Sequence, residues 1–94
     1  MIVEGKITLA EVKKGHSKST GNPYTLGEYV IVLDGGESIP FTVFGAEQLD
    51  AWNIQKGDIG SLEIKLQSKA YRNGNGRYLD AFPQVWVKKG HTDD

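Results

Sequence analysis

The stretch from Lys65 to Tyr78 contains the residue types that could bind a chain of phosphates and unpaired bases. It carries four cations, and two tyrosines flank its glycine-rich turn; these residues are Lys65, Lys69, Arg72, Arg77, Tyr71 and Tyr78. A flexible basic hairpin with aromatic rings can follow a phosphate backbone while its rings stack on bases. The alternative is a solvated hairpin with tyrosines on its faces and no ligand, so the rest of the chain must decide.

Charge is segregated along the chain. The net charge is -1, which argues against a generic polyanion binder. However, residues 1–27 carry four lysines against two glutamates, and residues 65–89 carry six basic residues against one aspartate. Residues 28–64 carry seven acidic residues against one lysine. Basic ends around an acidic middle can present one positive face if the two ends meet in the fold.

Five apolar segments predict strands that would position these charges. They cover residues 2–13, 24–33, 38–44, 59–71 and 78 to about 87. Residues 46–52 are long enough for about two helical turns. Between the fourth and fifth strands lies the basic hairpin, and a mobile polar loop at 15–23 follows the first strand.

Alternation within the strands predicts which side chains face inward. In the first strand these are Val3, Gly5, Ile7 and Leu9, and in the fourth they are Gly60, Leu62, Ile64 and Leu66. Pro40 lacks an amide donor, so we expect it at a sheet edge or a bulge. Gly5 suits a bend or a close backbone approach.

The order strand, strand, strand, short helix, strand, strand predicts an all-β fold. Five strands with a helix between the third and the fourth are typical of the OB-fold, a Greek-key barrel that binds oligonucleotides or oligosaccharides. An SH3-like barrel is the competing architecture, and it fits the position of the helix less well. We expect one OB-fold domain over residues 1–89 and a polar tail over residues 90–94, because 94 residues hold only one modest core.

No arrangement of residues predicts an enzyme. His16 and His91 have no acidic cluster at ligand spacing, so no metal site is expected, and the absence of cysteine excludes thiolate ligands. The serines lack an identifiable base partner. No apolar stretch approaches the about 20 residues that a membrane helix needs, and no signal peptide is evident, so a cytoplasmic protein that needs no cofactor is expected.

Most aromatic residues are expected to be core. Phe41 and Tyr29 are predicted to be buried, and Trp52 is predicted to close one end of the barrel, with base stacking as its less favoured role. Trp86 is predicted to cover the barrel or an oligomer contact. The candidates for a binding face are Tyr24, Phe44, Tyr71, Tyr78 and Phe82.

Several segments together resemble the bacterial single-stranded DNA-binding protein family. They are Gly21-Asn22-Pro23, Val43-Phe44-Gly45, Ile54-Gln55-Lys56-Gly57-Asp58 and Gly76-Arg77-Tyr78. The likeness is closer still to a family of short bacterial domains of this type whose function is not established. It covers roughly residues 2–88. It implies an OB-fold in which Phe44 and Tyr71 stack bases and Arg77 and Tyr78 form an arginine–aromatic pair after the hairpin.

The sequence departs from that family at three places. The long hairpin after the second strand is only Asp34-Gly35-Gly36-Glu37, and Ser38 stands where the family has a stacking tryptophan. The acidic-apolar tip that recruits partners in the family is also absent. Because each stacked base contributes about 1–3 kcal/mol, the loss of two stacking sites implies weaker binding.

The sequence therefore predicts a non-enzymatic protein that binds single-stranded DNA, with RNA as the alternative, and does so with little sequence preference and modest affinity. Phosphates would contact Lys13, Lys14, Lys18, Lys65, Lys69, Arg72 and Arg77, and bases would stack on Phe44, Tyr71 and Tyr78, with Tyr24 nearby. A homodimer or homotetramer is expected, since such barrels commonly pair through an edge or the first strand. The alternatives are a protein-interaction module of replication or mobile-element machinery, working through its acidic 28–64 surface, and an RNA or oligosaccharide binder.

Overall fold

The computed structural model describes residues 1–70 and 74–92. Its elements are β1 (Ile2–His16), β2 (Pro23–Leu33), β3 (Ser38–Phe44), α1 (Ala46–Trp52), β4 (Asp58–Ala70) and β5 (Arg77–His91). The strands form one antiparallel sheet in the order β3-β2-β1-β4-β5. The predicted all-β class and the predicted order of elements are confirmed. No helix within the described residues is long and apolar enough to cross a membrane.

The core lies on the inner face of this curved sheet. Tyr29 and Phe41 are buried as predicted, and their rings stack with centroids 5.3 Å apart. Ile7, Ile31 and Leu62 are fully enclosed, and the core is completed by Val43, Ile54, Ile64 and Trp86. Trp52, from α1, packs half-buried against this cluster.

A β-bulge in β1 changes the face on which its later residues lie. Ile7 pairs with Ile31, but Leu9 pairs with Val30, so Thr8 is an extra residue in the ladder. Beyond such a bulge the inward and outward positions of a strand are exchanged. Leu9 is consequently 40% exposed, and its predicted inward position is wrong. Ala10 faces the core in its place.

At Gly5, β1 has a neighbouring strand on each side. Gly5 pairs with Leu33 of β2 and with Gly60 of β4. A side chain at Gly5 would overlap the carbonyl oxygen of Val32, so only glycine permits this approach of the two backbones. The predicted close approach at Gly5 is confirmed.

The two edges of the sheet, β3 and β5, face each other without pairing. A cleft lies between them, and no ladder joins them among the described residues. Pro40 lies in edge strand β3, as predicted, where its missing amide breaks no ladder hydrogen bond. The structure is thus an all-β curved sheet with one short helix, and its edges are not closed into a barrel.

Two hairpins extend beyond the five-stranded part. The first ribbon comprises residues 13–26, where β1 pairs with β2. The second ribbon comprises residues 65–70 and 77–82, where β4 pairs with β5 alone. Leu66 was expected to face inward, but it is 48% exposed because the second ribbon has passed the core. Both ribbons carry candidate phosphate ligands.

The C-terminal end of β5 is longer than the sequence indicates. The strand ends at His91 rather than near Val87, so Gly90 and His91 belong to the sheet and not to a free tail. The Thr92 amide donates a hydrogen bond of 2.9 Å to the Gly57 carbonyl, which continues this attachment. Backbone pairing with the turn before β4 therefore orders residues whose polar composition suggests a loop.

Candidate nucleic-acid interface

Phe44 and Lys13 lie on the same outer face of the sheet. Phe44 pairs with Leu26, and Leu26 pairs with Lys13, so the three side chains form a row across β3, β2 and β1. Directly paired residues on neighbouring strands project from the same face. Phe44 is 70% exposed. An aromatic ring and a cation are thus presented together to the solvent.

The position of Phe44 depends on the glycine that follows it. Gly45 has a φ of 95°, a backbone conformation that residues other than glycine rarely adopt. Its amide donates a hydrogen bond of 2.9 Å to the Thr25 carbonyl of β2. The chain therefore leaves β3 sharply into α1, and the ring of Phe44 remains at the end of an edge strand, in the open.

Tyr24 extends this row along the first ribbon. It pairs with Gly15, and its ring covers that glycine so closely that a side chain there would overlap it. Tyr24 is 45% exposed and shares the face of Leu26, two residues along β2. Because Gly15 has no side chain, the ring of Tyr24 can lie against the backbone of β1 on the outer face.

Lys13 is ion-paired in the free protein. Its Nζ lies 3.0 Å from a carboxylate oxygen of Glu28, and both side chains are about half exposed. The hydrogen bond from Lys13 to Glu28 raises the pKa of the Lys13 amine above its usual value. Lys13 is charged at neutral pH, and a phosphate would have to compete with Glu28 for it.

The other two basic candidates of the first ribbon lie elsewhere. Lys14 pairs with Thr25, which places it on the face opposite Phe44, beside a smaller pocket of about 350 Å³ that Leu49 and Asp50 also line. Lys18 is exposed in the loop at the tip. The structure therefore brings Lys13 to Phe44, leaves Lys18 at the end of the ribbon and separates Lys14 from both.

The second ribbon divides its candidates between two faces. Lys65 pairs with Phe82, and Tyr78, which pairs with the backbone of Lys69, shares their outer face. Arg77 pairs with Ala70 on the opposite face, so Arg77 and Tyr78 project in opposite directions. Tyr71 and Arg72 lie outside the described residues, as does the side chain of Lys69.

The cleft between β3 and β5 joins Phe44 to the second ribbon. It has a volume of about 760 Å³, and Phe44 and Thr42 line one side of it. Asp80 and Phe82, at the base of the second ribbon, line the other side. Trp52 and Glu28 also contribute to it. The second ribbon, which the sequence analysis selected, therefore begins on the opposite side of this aromatic cleft from Phe44.

Asp80, Glu28 and Gln48 are cleft residues that the sequence analysis did not select. Glu28 lies two residues from Leu26 on β2, and Asp80 lies two residues from Tyr78 on β5. Strand alternation alone could have placed each carboxylate on the face of its aromatic or apolar neighbour. The predicted barrel implies that β3 and β5 approach each other, but nothing in the sequence indicated that a cleft would separate them.

A separate polar cluster surrounds Asp58 at the start of β4. The carboxylate is fully buried and accepts hydrogen bonds from the Gln55 amide at 2.8 Å and from His91 Nδ1 at 2.9 Å, while Lys88 Nζ lies 3.2 Å away. Burial acts to raise the pKa of Asp58, but the contacts with Gln55, His91 and Lys88 outweigh it and lower the pKa. The cluster ties the 55–58 turn to the end of β5.

The Asp58 cluster is structural. Its acid is enclosed, and each donor to it belongs to a neighbouring backbone or strand end. The described part of the chain contains no group of three or more histidine, aspartate or glutamate side chains placed to hold a metal ion. The sequence analysis treated His91 as an isolated residue of the tail, but the structure shows that it is a hydrogen-bond partner of this buried carboxylate.

Comparison with known proteins leaves the site to be interpreted from its geometry. No protein-family model matches the chain, and neither the curated proteins nor the solved structures contain a significant match to it.

Proposed function

We propose that this protein is an OB-fold protein that binds single-stranded DNA with little sequence preference and modest affinity. The observation that carries the proposal is the position of Phe44, 70% exposed, in a row with Lys13 and across a cleft from the second ribbon. An exposed ring beside cations that follow a ribbon is the arrangement that stacks a base and holds its phosphate. No metal ion or cofactor enters this proposal, and the cytoplasm is its expected location.

The strand connections support the OB-fold. β1 pairs with both β2 and β4, and α1 lies between β3 and β4, which agrees with the five-stranded, partly open Greek-key barrel. In that fold the closure is completed where β3 approaches β5, and here the cleft occupies this place. The motif resemblance to the single-stranded DNA-binding protein family points to the same assignment.

The distribution of charge supports a strand that runs from one ribbon to the other. Lys13 and Lys18 lie on the first ribbon and Lys65 lies on the second, with Phe44 between them on the outer face. Tyr24 and Tyr78 provide a further exposed ring on each ribbon, at 45% and 40%. Few rings and few cations are consistent with modest affinity and with recognition that does not depend on sequence.

Binding of labelled oligo-dT, followed by fluorescence anisotropy, should weaken steeply as salt rises. Each phosphate contact on a single strand contributes about -0.7 to the slope of log K against log salt. The double variant Lys13→Gln with Lys65→Gln should therefore make the slope about 1.4 less steep if each lysine holds one phosphate. Lys56→Gln, in the exposed turn before β4, removes the same kind of charge away from this face and should leave the slope unchanged.

Two results would contradict this function. One is the absence of oligo-dT binding at low salt, and the other is binding whose salt dependence the double variant does not change. Competition with oligo-U and with duplex DNA separates a preference for single-stranded DNA from one for RNA or for structured nucleic acid. Capture of a protein from a nuclease-treated lysate, with no affinity for oligo-dT, would favour the protein-interaction alternative.

We also propose that the protein is a homodimer or a homotetramer, because exposed aliphatic side chains lie on the outer face of β1 and β5. Ile2, Val85 and Val87 are 69%, 44% and 52% exposed, and Glu63 of β4 lies between Ile2 and Val85 in the same row. The ion pair between Glu4 and Lys89 borders them, so the rim carries both signs of charge. Exposed aliphatic residues interspersed with charges of both signs can form a contact between copies of a chain.

Val87→Glu should therefore shift the protein to the monomer in light scattering coupled to gel filtration. The introduced carboxylates would face apolar residues across the contact, where burying an unpaired charge is costly. Leu79→Glu is the matched control, because Leu79 is 72% exposed on the second ribbon, away from this surface. A wild-type protein that is already monomeric at high concentration would contradict the oligomer.

A further inference from the structure

The hydrogen bonds at the two ends of β3 show which of its main-chain groups face β2. At one end the Leu33 amide donates a hydrogen bond of 2.9 Å to the Glu37 carbonyl, and at the other end the Gly45 amide donates one of 2.9 Å to the Thr25 carbonyl. In an antiparallel ladder every second residue directs its amide and carbonyl at the same neighbour. Counted from either end, residues 39, 41 and 43 face β2.

The remaining residues of β3 direct their main-chain groups away from β2. They are Ser38, Pro40, Thr42 and Phe44, and the last three line the cleft. Among the described residues no strand pairs with this edge of β3. Pro40 offers only a carbonyl there, whereas Thr42 offers an amide and a carbonyl side by side. Thr42 therefore presents a donor next to an acceptor in the wall of the cleft.

A base that stacks on Phe44 lies beside this edge. Phe44 and Thr42 are two residues apart on one strand, a separation of roughly 7 Å, and their side chains share the outer face. Phe82 stands across the cleft, whose volume of about 760 Å³ is within the size of sites that enclose small organic ligands. A flat ring can thus enter beside Phe44 with its polar rim towards the main chain of Thr42.

The main chain of one strand residue complements every base. Each base carries a donor next to an acceptor on its Watson–Crick edge, an amino group beside a ring nitrogen in adenine and cytosine, and a ring N–H beside a carbonyl in guanine and thymine. Proteins that bind unpaired bases commonly contact this edge. An amide next to a carbonyl can therefore bind any base and gives no strong preference for one.

We infer that the edge of β3 at Thr42 binds the Watson–Crick edge of a base stacked on Phe44, through the Thr42 main-chain amide and carbonyl. This inference rests on the proposed function and adds to it a second kind of base contact. The ring of Phe44 contacts the face of the base, and the main chain of Thr42 contacts its rim. Hydrogen bonding to bases is then compatible with little sequence preference.

A nonpolar mimic of thymine separates hydrogen bonding from stacking. Difluorotoluene has the shape of thymine but lacks its strong hydrogen-bonding groups, so short oligo-dT is compared with an oligomer of equal length that carries difluorotoluene at every position. In anisotropy at low salt, the wild-type protein should bind oligo-dT at least about fivefold more tightly, the lower end for two hydrogen bonds. This comparison needs no variant.

Thr42→Pro removes the amide that faces the cleft without removing a hydrogen bond to β2, and Pro40 shows that this edge accepts proline. The ratio of the two affinities should fall by about two- to tenfold, the effect of one hydrogen bond. Ser38→Pro is the matched control, because it removes an amide of the same edge at a residue that does not line the cleft. Thr42→Val removes only the hydroxyl, and both controls should keep the wild-type ratio.

Amide hydrogen exchange in the wild-type protein locates the contact independently of any variant. Oligo-dT should slow exchange of the Thr42 amide more than the difluorotoluene oligomer does. The Ser38 amide, on the same edge but outside the cleft lining, should exchange equally fast with either oligomer.

The outcomes separate the inference from the function on which it rests. Equal wild-type affinities for the two oligomers overturn the hydrogen-bonded contact and leave stacking intact. A ratio that persists in a folded Thr42→Pro protein, or a Thr42 amide that the two oligomers protect equally, overturns the assignment to β3. A ratio that falls equally in Ser38→Pro does the same. Failure to bind either oligomer overturns the proposed function itself.

Discussion

Replacement of Phe44 by alanine is expected to raise the Kd for single-stranded DNA by about five- to 150-fold. Loss of one stacking side chain costs about 1–3 kcal/mol per base, and each 1.4 kcal/mol corresponds to a factor of ten. Among the described residues, Phe44 is the most exposed aromatic residue of the outer face, at 70%, and it lies where the Lys13 row meets the cleft. Anisotropy with oligo-dT at low salt measures the change.

The stability of the Phe44→Ala protein should change little. An exposed ring has few packing contacts to lose, so the free energy of unfolding is expected to stay within about 0.5 kcal/mol of the wild-type value. Urea unfolding, carried out beside the binding measurement, checks this expectation. A loss of binding that is accompanied by unfolding would not support stacking, whereas a loss in a stable protein would.

Leu79→Ala is the matched control for Phe44→Ala. Leu79 is 72% exposed, almost the same fraction as Phe44, but it lies on the face of the second ribbon opposite Lys65 and Tyr78. The variant should bind oligo-dT with nearly the wild-type affinity. If both alanine variants weaken binding equally, exposed apolar area rather than a stacking position is responsible, and the interface is wrongly placed.

Replacement of Asp58 by alanine is expected to lower the free energy of unfolding by about 2–4 kcal/mol. The buried carboxylate accepts hydrogen bonds from Gln55 and His91 and contacts Lys88, and alanine leaves the part-buried Gln55 amide without its acceptor. A buried donor that loses its partner costs its full desolvation free energy. Urea unfolding at neutral pH gives the change in stability.

Asp50→Ala is the control for the Asp58 variant. Asp50 is exposed on α1, so its removal should change the free energy of unfolding by less than about 0.5 kcal/mol. Hydrogen exchange locates the effect, because the Thr92 amide bonds to Gly57 in the turn that Asp58 holds. Faster exchange at the end of β5 is expected in Asp58→Ala. Equal destabilisation by the two variants would contradict a role for the buried cluster.

The same cluster predicts how stability depends on pH. The hydrogen bonds to Asp58 lower its pKa in the folded protein, whereas in the unfolded chain the pKa is about 3.9. The folded state therefore binds this proton less readily, so the contribution of Asp58 is complete above the unfolded pKa. It is lost as the pH falls through the folded pKa. Asp58→Asn should remove this part of the acid sensitivity.

The period of a strand is a local property, and the inward positions it predicts are confirmed along the part of β4 that pairs within the five-stranded sheet. Gly60, Leu62 and Ile64 are buried in the predicted alternation, because each successive side chain of a strand must point to the opposite face. The same alternation predicted that Leu9 and Leu66 face inward, and both predictions are wrong because neighbouring strands change the outcome there. Leu9 fails because a bulge opposite Val30 shifts the phase, and Leu66 fails because the sheet has only two strands there.

The candidate interface also depends on how the strands pair, which the sequence alone does not show. The sequence identified Phe44, Lys13 and Tyr24 as separate candidates, but their common face follows from the pairing of three strands. That register is set by contacts between residues far apart in the chain. Local alternation alone separates Lys14 from Lys13 and Arg77 from Tyr78, and the register decided which member of each pair shares the face of Phe44.

What the sequence by itself determined about this protein is its class, its order of elements and the chemistry available to it. Apolar periodicity, glycine positions and one proline at an edge are local signals, and they predict five strands, a short helix and two basic segments. Only the tertiary structure decided which of these side chains meet. The curvature of the sheet brings edge strands β3 and β5 together, so an aromatic cleft with two carboxylates forms between them. These strands come from different parts of the chain, β3 from the acidic segment 28–64 and β5 from the basic segment 65–89.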